Sequence, residues 1–80
     1  MNDIFDKIVS IIEDVADIPA EEINHDSAFI DDLDLASLEI LAIVSKLERE
    51  YSISISEEEL LSVSTVDDLV NVILKKSAED

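Results

Sequence analysis

The 80-residue chain has no cysteine, which excludes a disulfide framework, a thiolate metal site and a thiol nucleophile. It has no glycine either. Helix ends that need a left-handed residue must then use Asn or Asp, or stop by other means, and Asn24 is the candidate for one such position. Basic side chains are scarce: five Lys and Arg stand against 21 Asp and Glu, a net charge of −16, and none lies between Lys7 and Lys46. Nucleic acid and anionic membrane surfaces would be repelled, so neither is expected as a partner, whereas basic protein surfaces would be drawn in. No apolar run is long enough to span a bilayer, and the stretch MNDIFDKIVSIIEDV lacks the basic start and unbroken apolar run of a signal peptide. These features predict a cytoplasmic chain, or the processed form of something longer.

What is present is enough apolar material for one core, 48% of residues, in a length that makes a single domain. Ile4, Ile8, Ile11, Ile12 and Val15, with Phe5 beside them, recur at the helical period and predict a helix over 3–16 capped by Asn2 or Asp3. Pro19 disfavours helical geometry at Ile18 and ends it. A long connection over 17–34 follows, with a short turn near Ala20–Ile23. Ile18, Ile23, Phe29 and Leu33 are spaced through it as pegs that pack the loop across the domain. A second helix is expected over 35–51, with Leu38, Leu41, Val44, Leu47 and Tyr51 as its buried stripe, widened by Ile40 and Ile43.

Ile53-Ser54-Ile55 reads as an extended connector. Ser56-Glu57-Glu58-Glu59 is a capping box that opens a short helix holding Leu60 and Leu61. Thr65-Val66-Asp67-Asp68 resembles another such start and leads into Val66, Leu69, Val70 and Ile73, with Lys75 and Lys76 on the negative end of the helix dipole. The expected fold is all-α: a small four-helix bundle of three longer helices and one short one, spanning about 3–76, with a tail over 77–80 that frays.

The chemistry-bearing candidate is Ser37. In Asp32-Leu33-Asp34-Leu35-Ala36-Ser37-Leu38-Glu39 it lies just inside a helix start, behind Asp34 as the capping residue. There a hydroxyl faces solvent beside unpaired N–H groups and the positive end of the dipole, a good place to carry a phosphodiester. A polar residue serving only the helical first turn gives the same local pattern. His25 has no Cys, second His or suitably spaced serine near it and reads as a plain loop histidine. An EF-hand loop from Asp32 would need glycine where Ser37 stands and glutamate where Ile43 stands, so the acidic run is not a calcium-sensor loop, although clustered carboxylates attract divalent cations weakly. No nucleophile–base pair or metal set supports an enzyme, and no metal ligand is assigned.

The ordered set of segments Ile18-Pro19-Ala20-Glu21-Glu22-Ile23, Asp26-Ser27-Ala28-Phe29, Asp31-Asp32-Leu33, Ser37-Leu38-Glu39, Leu47 through Ile55 and Ser64 through Leu69 resembles the acyl carrier protein family over about 3–76. The resemblance implies that Ser37 carries 4′-phosphopantetheine, added from coenzyme A by a phosphopantetheinyl transferase, and that acyl groups ride on its thiol for a fatty-acid, polyketide or specialised acyl pathway. It implies a monomeric carrier, not an enzyme, whose carboxylates Asp34, Glu39, Glu48 and Glu50 meet the basic docking surfaces of acyl-loading and acyl-processing enzymes, and in which one or two of Leu38, Leu41 and Ile43 line the acyl cavity instead of serving only the core. Ala36 stands where the family usually has Asp before the serine, Ala42 replaces a common acid on the second helix, and Arg49 interrupts the acidic strip. Those departures imply a dedicated transferase and dedicated partners. The other reading is an unmodified acidic helical module that docks a basic protein.

Overall fold

The computed structural model describes residues 3–79, with the side chains of Ala78 and Glu79 left aside. Its elements are α1 (Asp3–Ala16), a 3-10 turn (Ala20–Glu22), α2 (Ser37–Tyr51), α3 (Glu57–Leu61) and α4 (Val66–Glu79). This is the expected four-helix arrangement of three longer helices and one short one, connected by the long loop after α1. Asp3 is already helical, and Asn2 lies outside the described residues. At the other end α4 continues to Glu79, past the tail boundary expected after Lys76, while Asp80 lies outside the described residues.

α1 packs against both α2 and α4. Its Ile8 and Ile12 are fully buried, as are Leu47 of α2 and Val66 and Ile73 of α4. Tyr51, at the end of α2, packs its ring against this core. Burial first, then the charges of Glu50 and Asp3, push its phenol up from the ordinary value.

The long loop contributes as much to the interior as a helix does. Ile23, Phe29, Leu33 and Leu35 are all buried in the same core cluster. Burying four large apolar side chains, at roughly 1.5–3 kcal/mol each, offsets part of the entropy of ordering so long a connection. The backbone is pinned as well. Phe29 N–H donates to Ser64 O and Val66 N–H donates to Ser27 O, each at 3.0 Å, a one-residue antiparallel bridge between Ala28 and Thr65 that ties the loop to the start of α4. Ser27, itself buried, accepts the Asn24 N–H on its hydroxyl at 2.9 Å. His25, expected to be a plain loop residue, stacks on Phe5 of α1 with ring centroids 3.9 Å apart, and its Nδ1 lies 3.2 Å from Asp67 Oδ1 of α4. It joins three segments that are distant in sequence.

Without glycine, three polar residues take the left-handed positions: Asp17 after α1, Ser52 after α2, and Asp34 within the loop, with φ of 59°, 55° and 53°. Asn24 is not among them. Its segment is closed by the Ser27 hydroxyl and the Ser27 N–H bond to Asn24 O, which need no positive φ.

α3 has no buried residue, so polar contacts place it. Ser56 Oγ accepts the Glu59 N–H, and Glu59 accepts the Ser56 N–H, the full capping box. Lys76 of α4 reaches Glu59 at 2.8 Å. That ammonium, followed by the Ser56 amide, holds the Glu59 carboxyl down to about 2 from 4.5. A carboxyl depressed in the folded state stabilises above its unfolded value and loses that contribution as pH falls through its folded value. The stability difference between the native chain and Glu59→Gln is therefore expected in full at neutral pH, and it shrinks as pH falls from 4.5 toward about 2. Urea titrations of both proteins across that window measure it; a difference that does not change with pH would overturn the assignment. At neutral pH the net charge of −16 opposes compaction, so added salt or magnesium is expected to raise the melting temperature.

Candidate functional site

The start of α2 is built differently from the simple capped helix that the sequence suggests. Asp34 is not its cap. With φ of 53° it turns the chain, and Leu35, still non-helical, enters the core with its N–H bonded to Phe29 O. Ala36 occupies the capping position in extended geometry and has no side-chain oxygen to accept the first helical amides. Only half of a capping box is formed: Glu39 Oε1 accepts the Ala36 N–H at 2.8 Å. Ser37 is then the first helical residue, and it is exposed. The amides of the first turn lack intrahelical partners by geometry, and Ala36 leaves them uncapped, so they are available to an anion attached at Ser37 Oγ.

Ser37 also stands at the edge of a cleft of about 700 Å³. Phe29 and Ile30 of the loop, Ile40 and Leu41 of α2, and Leu60, Leu61 and Val63 at and after α3 line it. Of these only Phe29 is buried; Ile30, Leu41 and Leu61 are 66%, 51% and 84% exposed, an apolar mouth open to water beside the serine.

The buried stripe of α2 differs from expectation. Leu38 is 80% exposed and Leu41 half exposed, while Ile43, Val44 and Leu47 are buried. The reason is geometric: at about 100° per residue, steps of three fall short of a full turn, and Leu38 ends roughly 180° from Leu47. The true stripe is Ile40, Ile43, Val44, Leu47 and Tyr51, and the displaced leucines face outward beside Ser37.

Of the carboxylates put forward by the sequence, Asp34 and Glu39 flank Ser37, whereas Glu48 and Glu50 lie at the far end of α2, about 16 Å or more along the axis. Three of the four are engaged within the chain. Glu39 holds Ala36 N–H, Glu48 Oε2 accepts Ile55 N–H at 2.7 Å and anchors the connector to α3, and Glu50 lies 3.5 Å from Lys7 of α1. Asp34 is exposed. Asp32 caps the loop, accepting Ala28 N–H at 2.7 Å. Among the described residues no three His, Asp or Glu converge to hold a metal ion, and no helix is long and apolar enough to cross a membrane. Ile30, Leu60 and Leu61 carry the mouth of the cleft. Nothing in their spacing marks that role, because the wall forms only when the loop, α2 and α3 come together.

The model of the phosphopantetheine attachment site family matches residues 6–73. The chain belongs to the acyl carrier protein family. Curated acyl carrier proteins are similar to it over most of their length: that of Clostridium acetobutylicum is 42% identical over 76 residues, covering 95% of this chain and 99% of the relative. That of Picosynechococcus sp. is 39% identical over 75 residues, covering 94% and 93%, and that of Petrotoga mobilis 35% over 75 residues, covering 94% and 88%. Acyl carrier proteins are carriers, not enzymes, and their prosthetic group is 4′-phosphopantetheine. The exposed serine, the uncapped helix start and the adjoining apolar cleft suit such a group: a hydroxyl to bear the phosphodiester, amides to face its charge, and a greasy recess within reach of an arm.

Proposed function

We propose that Ser37 is the residue that bears 4′-phosphopantetheine, and that the cleft between α2 and α3 shelters the acyl cargo. The observation that carries this reading is the exposed Ser37 at the first position of α2, at the mouth of an apolar cleft. In the loading step Ser37 Oγ forms a bond to the phosphorus nearest the pantetheine of coenzyme A, the diphosphate linkage breaks, the nucleotide half leaves, and the hydroxyl proton passes to the transferase. Once attached, the group supplies a terminal thiol for thioester linkage. The chain's own part is to hold the serine on a rigid helix end, face the phosphodiester with amides, and keep the cargo from water.

Docking to basic partner surfaces runs first through Asp34, which is exposed next to the serine. Glu39, Glu48 and Glu50 join it where a partner's cation shares a carboxylate already bonded inside the chain. We place this work in the cytoplasm, in fatty-acid, polyketide or a related acyl synthesis, with the protein acting as a monomer. Intact mass after incubation with coenzyme A and a broad-specificity phosphopantetheinyl transferase tests the central point. A gain of one phosphopantetheinyl group, mapped to the peptide that contains Ser37, is expected.

A further inference from the structure

The outward ridge of α2 carries no carboxylate. Leu38, Ala42, Ser45 and Arg49 fall along one line of the helix, opposite buried Leu47, with Leu41 and Lys46 beside them. All but Ala42 are exposed. The glutamates of α2 lie on its flanks, and each is occupied: Glu39 by Ala36 N–H, Glu48 by Ile55 N–H, Glu50 by Lys7. Lys46 and Arg49, by contrast, have no carboxylate within 4.0 Å among the described residues, although the chain holds 21 acidic side chains. The ridge is therefore apolar next to Ser37 and cationic toward its far end. The free carboxylates nearest the site lie elsewhere: Asp31 and Asp34 in the loop, and Glu57 on α3 across the cleft.

We infer that this ridge is a docking surface for an enzyme that sets an apolar recess over Leu38 and Leu41 and carboxylates against Lys46 and Arg49. The enzyme's own cations are directed first to the loop and to α3, and reach the flanking glutamates of α2 only by sharing them with their internal partners. The inference rests on the reading of Ser37 only in that the partner works there. The overall charge of −16 steers basic faces in from a distance, but contacts are decided within about 8 Å, the screening length at physiological salt. A uniformly basic surface lying along α2 would place its cations on Lys46 and Arg49, and like-charge juxtaposition at contact is strongly unfavourable. The polarity of the ridge thus sets the direction in which a partner lies and rejects partners charged alike throughout.

Zero-length carbodiimide coupling tests this, because it joins an amine to a carboxylate only where they touch. The full chain, loaded and unloaded, is treated in extract of its own cells and the joined peptides are sequenced. Lys46 is expected to be joined to Asp or Glu of a partner enzyme, several-fold more often than Lys75, which is also exposed. Lys46→Arg removes the link. With that partner purified, K46E/R49E is expected to lower kcat/KM for the reaction at the carrier by about tenfold, and changing the joined partner carboxylate to lysine restores it. The inference is overturned if Lys46 is joined no more often than Lys75, or if K46E/R49E is as active as the native chain. Failure of Ser37 to load would sink the attachment reading while leaving the Lys46 links of the unloaded chain to be counted.

Discussion

Ser37→Ala is expected to abolish the mass gain on incubation with coenzyme A and transferase, and to do so without unfolding the protein. Loss of chemistry and loss of structure separate because Ser37 is not a cap. It is the first helical residue, exposed, with the capping position held by Ala36. Alanine is a good helix former, so the substitution changes stability by no more than about 0.5 kcal/mol. The thermal midpoint of the variant stays with that of the native chain, and its elution as a compact species is unchanged. Ser10→Ala, at an exposed serine on α1, is the matched control and is expected to load fully. Every other exposed hydroxyl remains in Ser37→Ala, so a residual gain would place the group elsewhere and remove the basis of the attachment reading. In cells the same variant discriminates the carrier from an unmodified docking module: a carrier loses all function, whereas a module that works by its surface charge keeps it.

Where the signals were local, the sequence carried the structure. Ser56 and Glu59 form the capping box their spacing implies, and Thr65 Oγ1 accepts Asp68 N–H at the start of α4 while Asp68 accepts the amides of Ser64 and Thr65. Those two amides, Ser64 first, hold the Asp68 carboxyl below its ordinary value. The loop pegs were legible too: Ile23, Phe29 and Leu33, spaced through an acidic connection, are buried, while Ile30 among them is exposed at the cleft. Three things were not legible, each for a physical reason. Helix α2 is apolar over more than half its circumference, so periodicity alone could not say which side faces inward; contact with α1 decided it and left Leu38 and Leu41 outside. Asp34 looked like a cap because aspartate suits that position, but aspartate also tolerates a left-handed φ, and burying Leu35 required the turn there. His25 gained its partners Phe5 and Asp67 only through folding. Of the candidate site, the exposed serine at the start of α2 could be read from one dimension. The apolar mouth around it could not, since its walls come from segments some thirty residues apart, Ile30 and Leu61 among them.

Phe29→Ala carries the largest expected loss of stability of any single truncation near the site. The ring is 5% exposed, belongs to the core cluster, and lines the cleft. Its backbone joins the two anchors of the loop: the N–H is bonded to Ser64 O and the carbonyl accepts Leu35 N–H, each at 3.0 Å. Removing a buried phenyl ring costs about 3–5 kcal/mol. A domain of this size has about 4–12 kcal/mol in total, and self-repulsion among its carboxylates keeps it toward the lower part of that range. The thermal midpoint is therefore expected to fall by about 12 °C or more. Phe29→Leu keeps most of the apolar volume and should lose about 1.5 kcal/mol or less. Function follows through the same residue. Leu35 is held by Phe29, Leu35 and Asp34 set the entry of the chain into α2, and that entry fixes where Ser37 stands. At low temperature and in added salt, where Phe29→Ala remains folded by circular dichroism, its loading at Ser37 slows more than that of Phe29→Leu. A midpoint within a few degrees of the native value would mean that the loop is not the structural member it is taken to be. A loading rate unchanged in the folded variant would mean that the transferase, and not the loop, orders the start of α2.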